Sequence, residues 1–240
     1  MTARLLYTTF MLLALLVFVV ARHFQPTPKG LAAEPWWKRT ALGLGAFVGG
    51  ALGAKFPFVL ESGASWFDHT AWLNDGKTIT TGLIGAYVAV ELTKLILDIK
   101  AKTGDTFAVP LALALAVGRW GCFFNGCCYG TATTLPWGVD FGDGIYRHPT
   151  QIYESLFHFG MALVLVEIAR RGALVYQRLK LYLIAYGVYR FLTEYIRPEP
   201  VSYAGLTYYQ WVAIALIVGL SIHWLIDARL KRREAKLALA

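Results

Sequence analysis

Charge is scarce in this chain: Asp, Glu, Lys and Arg make up 16% of 240 residues, against roughly a quarter in soluble domains. With 57% of residues hydrophobic, that shortage excludes a water-soluble fold and points to an all-α integral membrane protein. Ser-rich, Pro-rich and charged linkers are missing too, so residues 1–240 read as a single polytopic membrane domain. Cysteine is limited to Cys122, Cys127 and Cys128. They are too close together and too few for the paired spacing of a four-ligand zinc site. No metal or other cofactor is expected, and no disulfide framework is implied. Acidic residues are outnumbered 15 to 23, leaving a net charge of +8. The Lys and Arg residues cluster at the ends of apolar runs, which makes the excess topological and gives no reason to expect a nucleic-acid partner.

What the sequence does hold is long apolar runs. A helix needs about 20 apolar residues to cross the hydrocarbon layer, and seven stretches qualify: Leu5–Ala21, Ala41–Leu60, Thr81–Leu97, Phe107–Phe124, Tyr153–Ala169, Leu179–Ile196 and Leu206–Ile226. The first could pass for a signal peptide, but Val19-Val20-Ala21-Arg22 is a poor cleavage site, and an uncleaved helix is the better reading. Basic residues gather in alternate connections: Arg22 to Arg39, Lys100 and Lys102, Arg170 to Arg178, and a tail at about 227–240. The positive-inside bias then puts the amino terminus outside and the basic tail in the cytoplasm. External cap segments fall at about 61–80 and 125–150, the first with Trp66 and Trp72 suited to an aromatic belt. Gly45, Gly49 and Gly53 form a small-xxx-small stripe that admits a close helix neighbour.

Several ionisable residues have no place in lipid. Tyr186, Arg190, Glu194 and Arg197 recur at helical spacing within one apolar span. An Arg exposed at the bilayer centre costs at least ~2.5 kcal/mol, so such a stripe faces a bundle interior or a polar cavity. The bland alternative is a structural Arg190–Glu194 ion pair. Arg119 sits in the glycine-rich block Gly118-Arg119-Trp120-Gly121-Cys122-Phe123-Phe124-Asn125-Gly126-Cys127-Cys128-Tyr129-Gly130. Two guanidinium groups in the same leaflet repel unless an anion or carboxylate lies between them, and the planar fork of Arg suits phosphate. A phospholipid headgroup is the obvious anion. His148-Pro149-Thr150-Gln151-Ile152-Tyr153-Glu154 opens the fifth span, where Pro149 suits a helix start. Gln151, Tyr153 and Glu154 can close a polar chamber there.

Five ordered stretches carry a resemblance: Gly82-Leu83-Ile84-Gly85; Gly118-Arg119-x-Gly121-x-Phe123-x-Asn125-Gly126; His148 to Glu154; Tyr189-Arg190-Phe191-x-x-Glu194-Tyr195-x-Arg197; and Gly205-Leu206-Thr207-x-x-Gln210. On these the chain resembles the bacterial prolipoprotein diacylglyceryl transferase family. The resemblance implies a multi-pass enzyme of the bacterial cytoplasmic (inner) membrane. Its donor is phosphatidylglycerol, and its acceptor is the lipobox cysteine next to a prolipoprotein signal peptide. The transfer forms a thioether and releases glycerol phosphate. The family's two headgroup arginines map to Arg119 and Arg190, with Asn125, Gly130 and Glu194 among the other matched positions and Tyr7 a weaker match. Gln151, Tyr153, Glu154, Arg197 and Gln210 lie in the matched stretches and are candidates for substrate binding.

The sequence departs from the family at Ile79-Thr80-Thr81-Gly82-Leu83, where members carry a His at the position of Thr80. Cys122 and Cys127 also replace family residues. Thr80 is no general base at neutral pH, which leaves His148 as the nearest candidate by motif and His69 as a weaker one. Two alternatives stay open: a divergent transferase using the same donor with another acceptor, and a non-catalytic phospholipid-binding or transport protein.

Overall fold

The computed structural model describes residues 2–61, 72 and 78–237. Seven helices make up most of it: α1 (Ala3–His23), α2 (Trp36–Glu61), α3 (Ile79–Ile96), α4 (Asp105–Phe124), α5 (Thr150–Arg170), α6 (Arg178–Thr193) and α7 (Tyr208–Leu237). Six of these, all but α6, are long and apolar enough to cross a membrane, so the protein is a multi-pass membrane protein. α6 has 16 residues and runs into a 3-10 turn, Glu194–Ile196, and the two together cover the sixth apolar stretch expected from the sequence. Most of the expected external segment at about 61–80, His69 included, lies outside the described residues.

The helices form two compact units, residues 27–102 and the remainder. In the first, α2 and α3 pack through the glycine stripe. A Cβ at Gly45 would lie 2.6 Å from Thr93 Oγ1, and one at Gly53 would lie 3.0 Å from Gly85 Cα. Close backbone approach of this kind substitutes for the hydrophobic drive that lipid does not supply. Thr80 and Thr81, in the first turn of α3, are buried, and their hydroxyls have no hydrogen-bond partner among the described residues.

In the second unit, α1 buries none of its residues. Its Thr8 and Thr9 hydroxyls donate to the carbonyls of Arg4 and Leu5 at 3.0 and 2.8 Å, which satisfies them without water. α1 crosses α4 at Gly121, where a Cβ would meet Met11 Cε at 3.0 Å and the Tyr7 carbonyl oxygen at 3.3 Å. Phe10 stacks on Phe124 beside the crossing. α5 fastens to α4 where the Ser155 hydroxyl donates to the Ala116 carbonyl at 2.7 Å. At the start of α4, the Asp105 carboxylate accepts from the backbone N–H groups of Tyr176 and Arg178 at 2.6 and 2.9 Å, holding the entry to α6. An ion pair between buried Lys180 and half-buried Asp227 ties α6 to α7.

Two small hairpins complete this unit. β1 (Val139–Asp140) pairs antiparallel with β2 (Tyr146–Arg147) in the segment between α4 and α5. Asp140 Oδ1 gathers the N–H groups of Gly142, Asp143 and Gly144, and the Asp143 carboxylate pairs with Arg147 at 2.6 Å. β3 (Val201–Tyr203) and β4 (Leu206–Thr207) turn through Ala204 and Gly205, both at positive φ, as a two-residue hairpin loop requires.

Candidate active site

The site is built where three chain segments meet at Gly130. Its N–H donates to the His148 carbonyl at 2.8 Å, and the next N–H, of Thr131, donates to the Ile196 carbonyl at 2.8 Å. A Cβ on Gly130 would sit 2.5 Å from the Ile196 oxygen and 2.8 Å from His148 Cβ, so any larger residue forces these strands apart. The first turn of α5 pins the same segment from the other side. The Thr150 hydroxyl donates to the Cys128 carbonyl and the Gln151 amide to the Cys127 carbonyl, each at 2.6 Å.

One turn into α5, Glu154 is 1% exposed and collects four groups. Its Oε2 meets Arg119 Nη2 at 2.5 Å and Arg197 Nη2 at 3.5 Å. Its Oε1 accepts the Tyr186 hydroxyl at 2.8 Å and faces His158 Nε2 at 3.7 Å. His158 Nδ1 is in turn 2.8 Å from the Tyr182 hydroxyl. The cluster therefore runs from α4 through α5 to α6 and the 3-10 turn behind it.

A second ion pair joins the last turn of α6 to the 3-10 turn that follows it. Arg190 Nη2 meets Glu194 Oε2 at 2.8 Å, and Glu194 Oε1 accepts the Thr207 hydroxyl at 3.0 Å. Thr207 and Gln210 form a capping box at the start of α7: the Gln210 N–H donates to the Thr207 hydroxyl at 3.2 Å, and the Thr207 N–H donates to Gln210 Oε1 at 2.9 Å. Tyr209, between them, presents its ring to the Arg190 guanidinium at 5.1 Å. Helix capping, ion pair and cation–π contact thus fix Arg190 in one orientation.

Electrostatically the cluster is lopsided. Three buried guanidinium groups, of Arg119, Arg190 and Arg197, face two buried carboxylates, of Glu154 and Glu194. Burial lowers the pKa of Arg197, and the positive charge of Arg190 lowers it further. Glu199 stands half-buried beside them, its carboxyl raised by burial and by Glu194. Buried Arg119 Nε, Arg190 Nη1 and Arg197 Nε have no hydrogen-bond partner among the described residues. Unmatched buried charge and idle donors are costly, and an anion relieves both.

The remaining sequence candidates fall as follows. His148 is half-buried, its Nδ1 3.3 Å from the Tyr153 hydroxyl, which also accepts from Trp137 Nε1 at 2.8 Å. An open apolar groove of about 540 Å³ adjoins them, lined among others by Trp120, Phe123, Pro149 and Leu156. Tyr7 sits at the α1–α4 crossing, and Asn125 is the exposed C-cap of α4. The polar atoms of Gln210 are committed to its own cap and to the Phe191 carbonyl. The two leading arginines do not need an outside anion to tolerate each other, because each has its own carboxylate. Sequence reasoning missed His158 and Tyr182. The signal was present: Glu154 and His158 are four apart, and Tyr182 continues the stripe of Tyr186 and Arg190 by one more turn.

Residues 4–226 match the family model described as prolipoprotein diacylglyceryl transferase. A phosphatidylglycerol–prolipoprotein diacylglyceryl transferase of Clostridium tetani is 32% identical over 205 residues, 81% of each chain. One of Methylobacillus flagellatus is 30% identical over 229 residues, 84% of this chain and 85% of that one. The match to the Clostridioides difficile protein of the same name is 35% identical but spans 60% of this chain and 58% of its relative. The chain belongs to the prolipoprotein diacylglyceryl transferase family.

Proposed function

We propose that this protein transfers the diacylglyceryl group of phosphatidylglycerol to the lipobox cysteine of a prolipoprotein. The observation that carries the reading is the buried cluster of three arginines and two glutamates, with its surplus of one positive charge and its idle guanidinium donors. A phosphodiester headgroup supplies the missing negative charge. In the reaction the acceptor sulfur forms a bond to the glyceryl carbon while that carbon's bond to the phosphate oxygen breaks. Glycerol phosphate leaves with the electron pair. Arg119 and Arg190 bind the phosphate and stabilise the charge that grows on it. Glu154 and Glu194 hold the two guanidinium planes, with Arg197 between the pairs. A free thiol has a pKa of about 8.5, so its proton needs an acceptor, and His148 is our candidate. His158, fully buried between Glu154 and Tyr182, orients Glu154. Tyr7, Asn125, Gly130, Gln151 and Tyr153 shape the headgroup chamber, and the apolar groove beside Tyr153 suits an acyl chain.

The same reading places a single polytopic domain in the bacterial inner membrane. It has seven spans, an external amino terminus, the chamber toward the outer leaflet and the prolipoprotein signal peptide as protein partner. Purified protein mixed with phosphatidylglycerol and a lipobox peptide should yield the thioether-linked peptide by mass spectrometry and an equal amount of glycerol phosphate. Absence of both products would refute the assignment. A second reading, the same donor with a different acceptor, is favoured by Thr80 in place of the family His. Loss of a non-protein glycerolipid from cells lacking the gene, with prolipoprotein modification intact, would select it.

A further inference from the structure

The transfer chemistry leaves the three cysteines without a task, yet the backbone goes to some trouble to bring them together. α4 ends in a Schellman turn: the Cys127 N–H donates to the Cys122 carbonyl and the Gly126 N–H to the Phe123 carbonyl, each at 3.1 Å, with Gly126 at φ 63°. The turn folds Cys127 back over the last helical residues, its Sγ 3.6 Å from the Cys122 carbonyl oxygen. Cys128 is itself left-handed at φ 62°. That conformation costs an L residue about 1–2 kcal/mol, and the bonds from Thr150 and Gln151 to the Cys128 and Cys127 carbonyls hold it in place. As a result the three Sγ atoms lie within 4.8 Å of one another.

We infer that Cys122, Cys127 and Cys128 form a three-thiolate binding site for a soft d10 cation, Zn2+ or Cu+. With metal–sulfur bonds of about 2.3 Å, a tetrahedral or trigonal centre has sulfurs roughly 3.8–4.0 Å apart. Closing from the present spacing therefore takes side-chain rotation of an ångström or less. The sequence spacing excludes a four-ligand structural site, but three ligands with an open position is a different arrangement, one zinc accepts with water and monovalent copper accepts without it. Among the described residues the group contains these three side chains alone. Charge also favours it. Three thiolates around Zn2+ carry a net charge of −1 and around Cu+ a net −2, and Arg119 Nη1 lies 4.0 Å from Cys122 Sγ. Cys128 is exposed and gives the ion an entry, whereas Cys122 and Cys127 are half-buried.

The test uses the full chain in nanodiscs, reduced, freed of metal, and confirmed to have three titratable thiols. Zn2+ and Cu+ are each titrated in competition with a chromophoric chelator selective for that ion. One equivalent of one of them should bind per chain, and which one binds identifies the ion. Co2+ should give a near-ultraviolet sulfur-to-metal charge-transfer band, and the bound ion should protect Cys128 from maleimide. Cys122→Ser, Cys127→Ser and Cys128→Ser should each weaken binding at least about 100-fold. The wild-type band and protection decide the matter if a variant misfolds. Failure of both ions to bind, stoichiometric binding that survives Cys127→Ser and Cys128→Ser together, or Co2+ binding without a charge-transfer band would each overturn the site.

Discussion

Arg119 and Arg190 each make an end-on contact with a carboxylate that leaves guanidinium N–H groups for a second anion. A lysine at either position keeps the charge but offers a single ammonium that cannot serve carboxylate and phosphate in the same plane. Arg119→Lys and Arg190→Lys should each lower the transfer rate about 100-fold or more, with helical circular dichroism unchanged. Full activity in both would remove bidentate phosphate binding from the mechanism. Glu154 makes a different demand. Because it compensates both Arg119 and Arg197 in a buried setting, Glu154→Gln should destabilise the protein by about 3–5 kcal/mol in denaturant titrations of the micelle-bound protein. A loss below about 1 kcal/mol would mean that water already screens the pair. These residues are conspicuous in the sequence because charge inside an apolar run is rare, and the structure gathers them in one cluster. His158 escapes such reading because a lone imidazole in an apolar helix is usually a packing residue. Its meaning depends on Tyr182, which reaches it from another helix.

Elements are legible to different depths. Helix positions follow from hydropathy, and the α2–α3 contact follows from three glycines at four-residue spacing. The capping box of α7 is written in the sequence as Thr207-x-x-Gln210, yet it also lies inside a stretch that carries the family resemblance, so pattern alone does not separate a cap from a ligand. Thr207→Ala should cost about 1–2 kcal/mol, because it removes the cap and the hydrogen bond to Glu194 together. Thr207→Ser should restore most of it, and equal loss in both variants would deny the hydroxyl its role. The convergence of the cysteines was not legible, because it depends on two left-handed residues, Gly126 and Cys128, that no periodicity announces. The β1–β2 hairpin offers a pH test. The side-chain hydrogen bond from Arg147 holds the Asp143 carboxyl below its ordinary value. A depressed carboxyl contributes stability above its unfolded pKa and loses it as pH falls through the folded one. Amide protection at residues 139–147, taken relative to the intrinsic exchange rate at each pH, should therefore be high at neutral pH and fall in acid. Asp143→Asn should show low protection at both pH values, and a wild-type-like acid response in that variant would place the titration elsewhere.

For the whole molecule, orientation turns on α6. Six helices meet the length and hydropathy of a span. α6 is shorter, but with its 3-10 turn it covers residues 178–196, about 25–30 Å at helical rise, close to the hydrocarbon thickness. If it crosses, the count is odd and the termini lie on opposite sides. If it does not, they share a side. Its polar stripe argues that it crosses, since Tyr182, Tyr186 and Arg190 are buried against other helices rather than lipid. The Lys180–Asp227 pair also matches its depth to that of α7. The clusters of Arg and Lys at residues 170–178 and 227–236 then fall on one side, which the positive-inside bias makes cytoplasmic. Green fluorescent protein fused after residue 240 should fluoresce, because it folds only in the cytoplasm, whereas alkaline phosphatase should be active at residue 142 in the α4–α5 segment and inactive at residue 174 in the α5–α6 connection. A dark carboxyl-terminal fusion at normal expression with residue 174 still inactive would mean that α6 does not cross, whereas activity at residue 174 would invert the assignment. The arginine cluster would then open toward the inner leaflet, out of reach of a translocated cysteine.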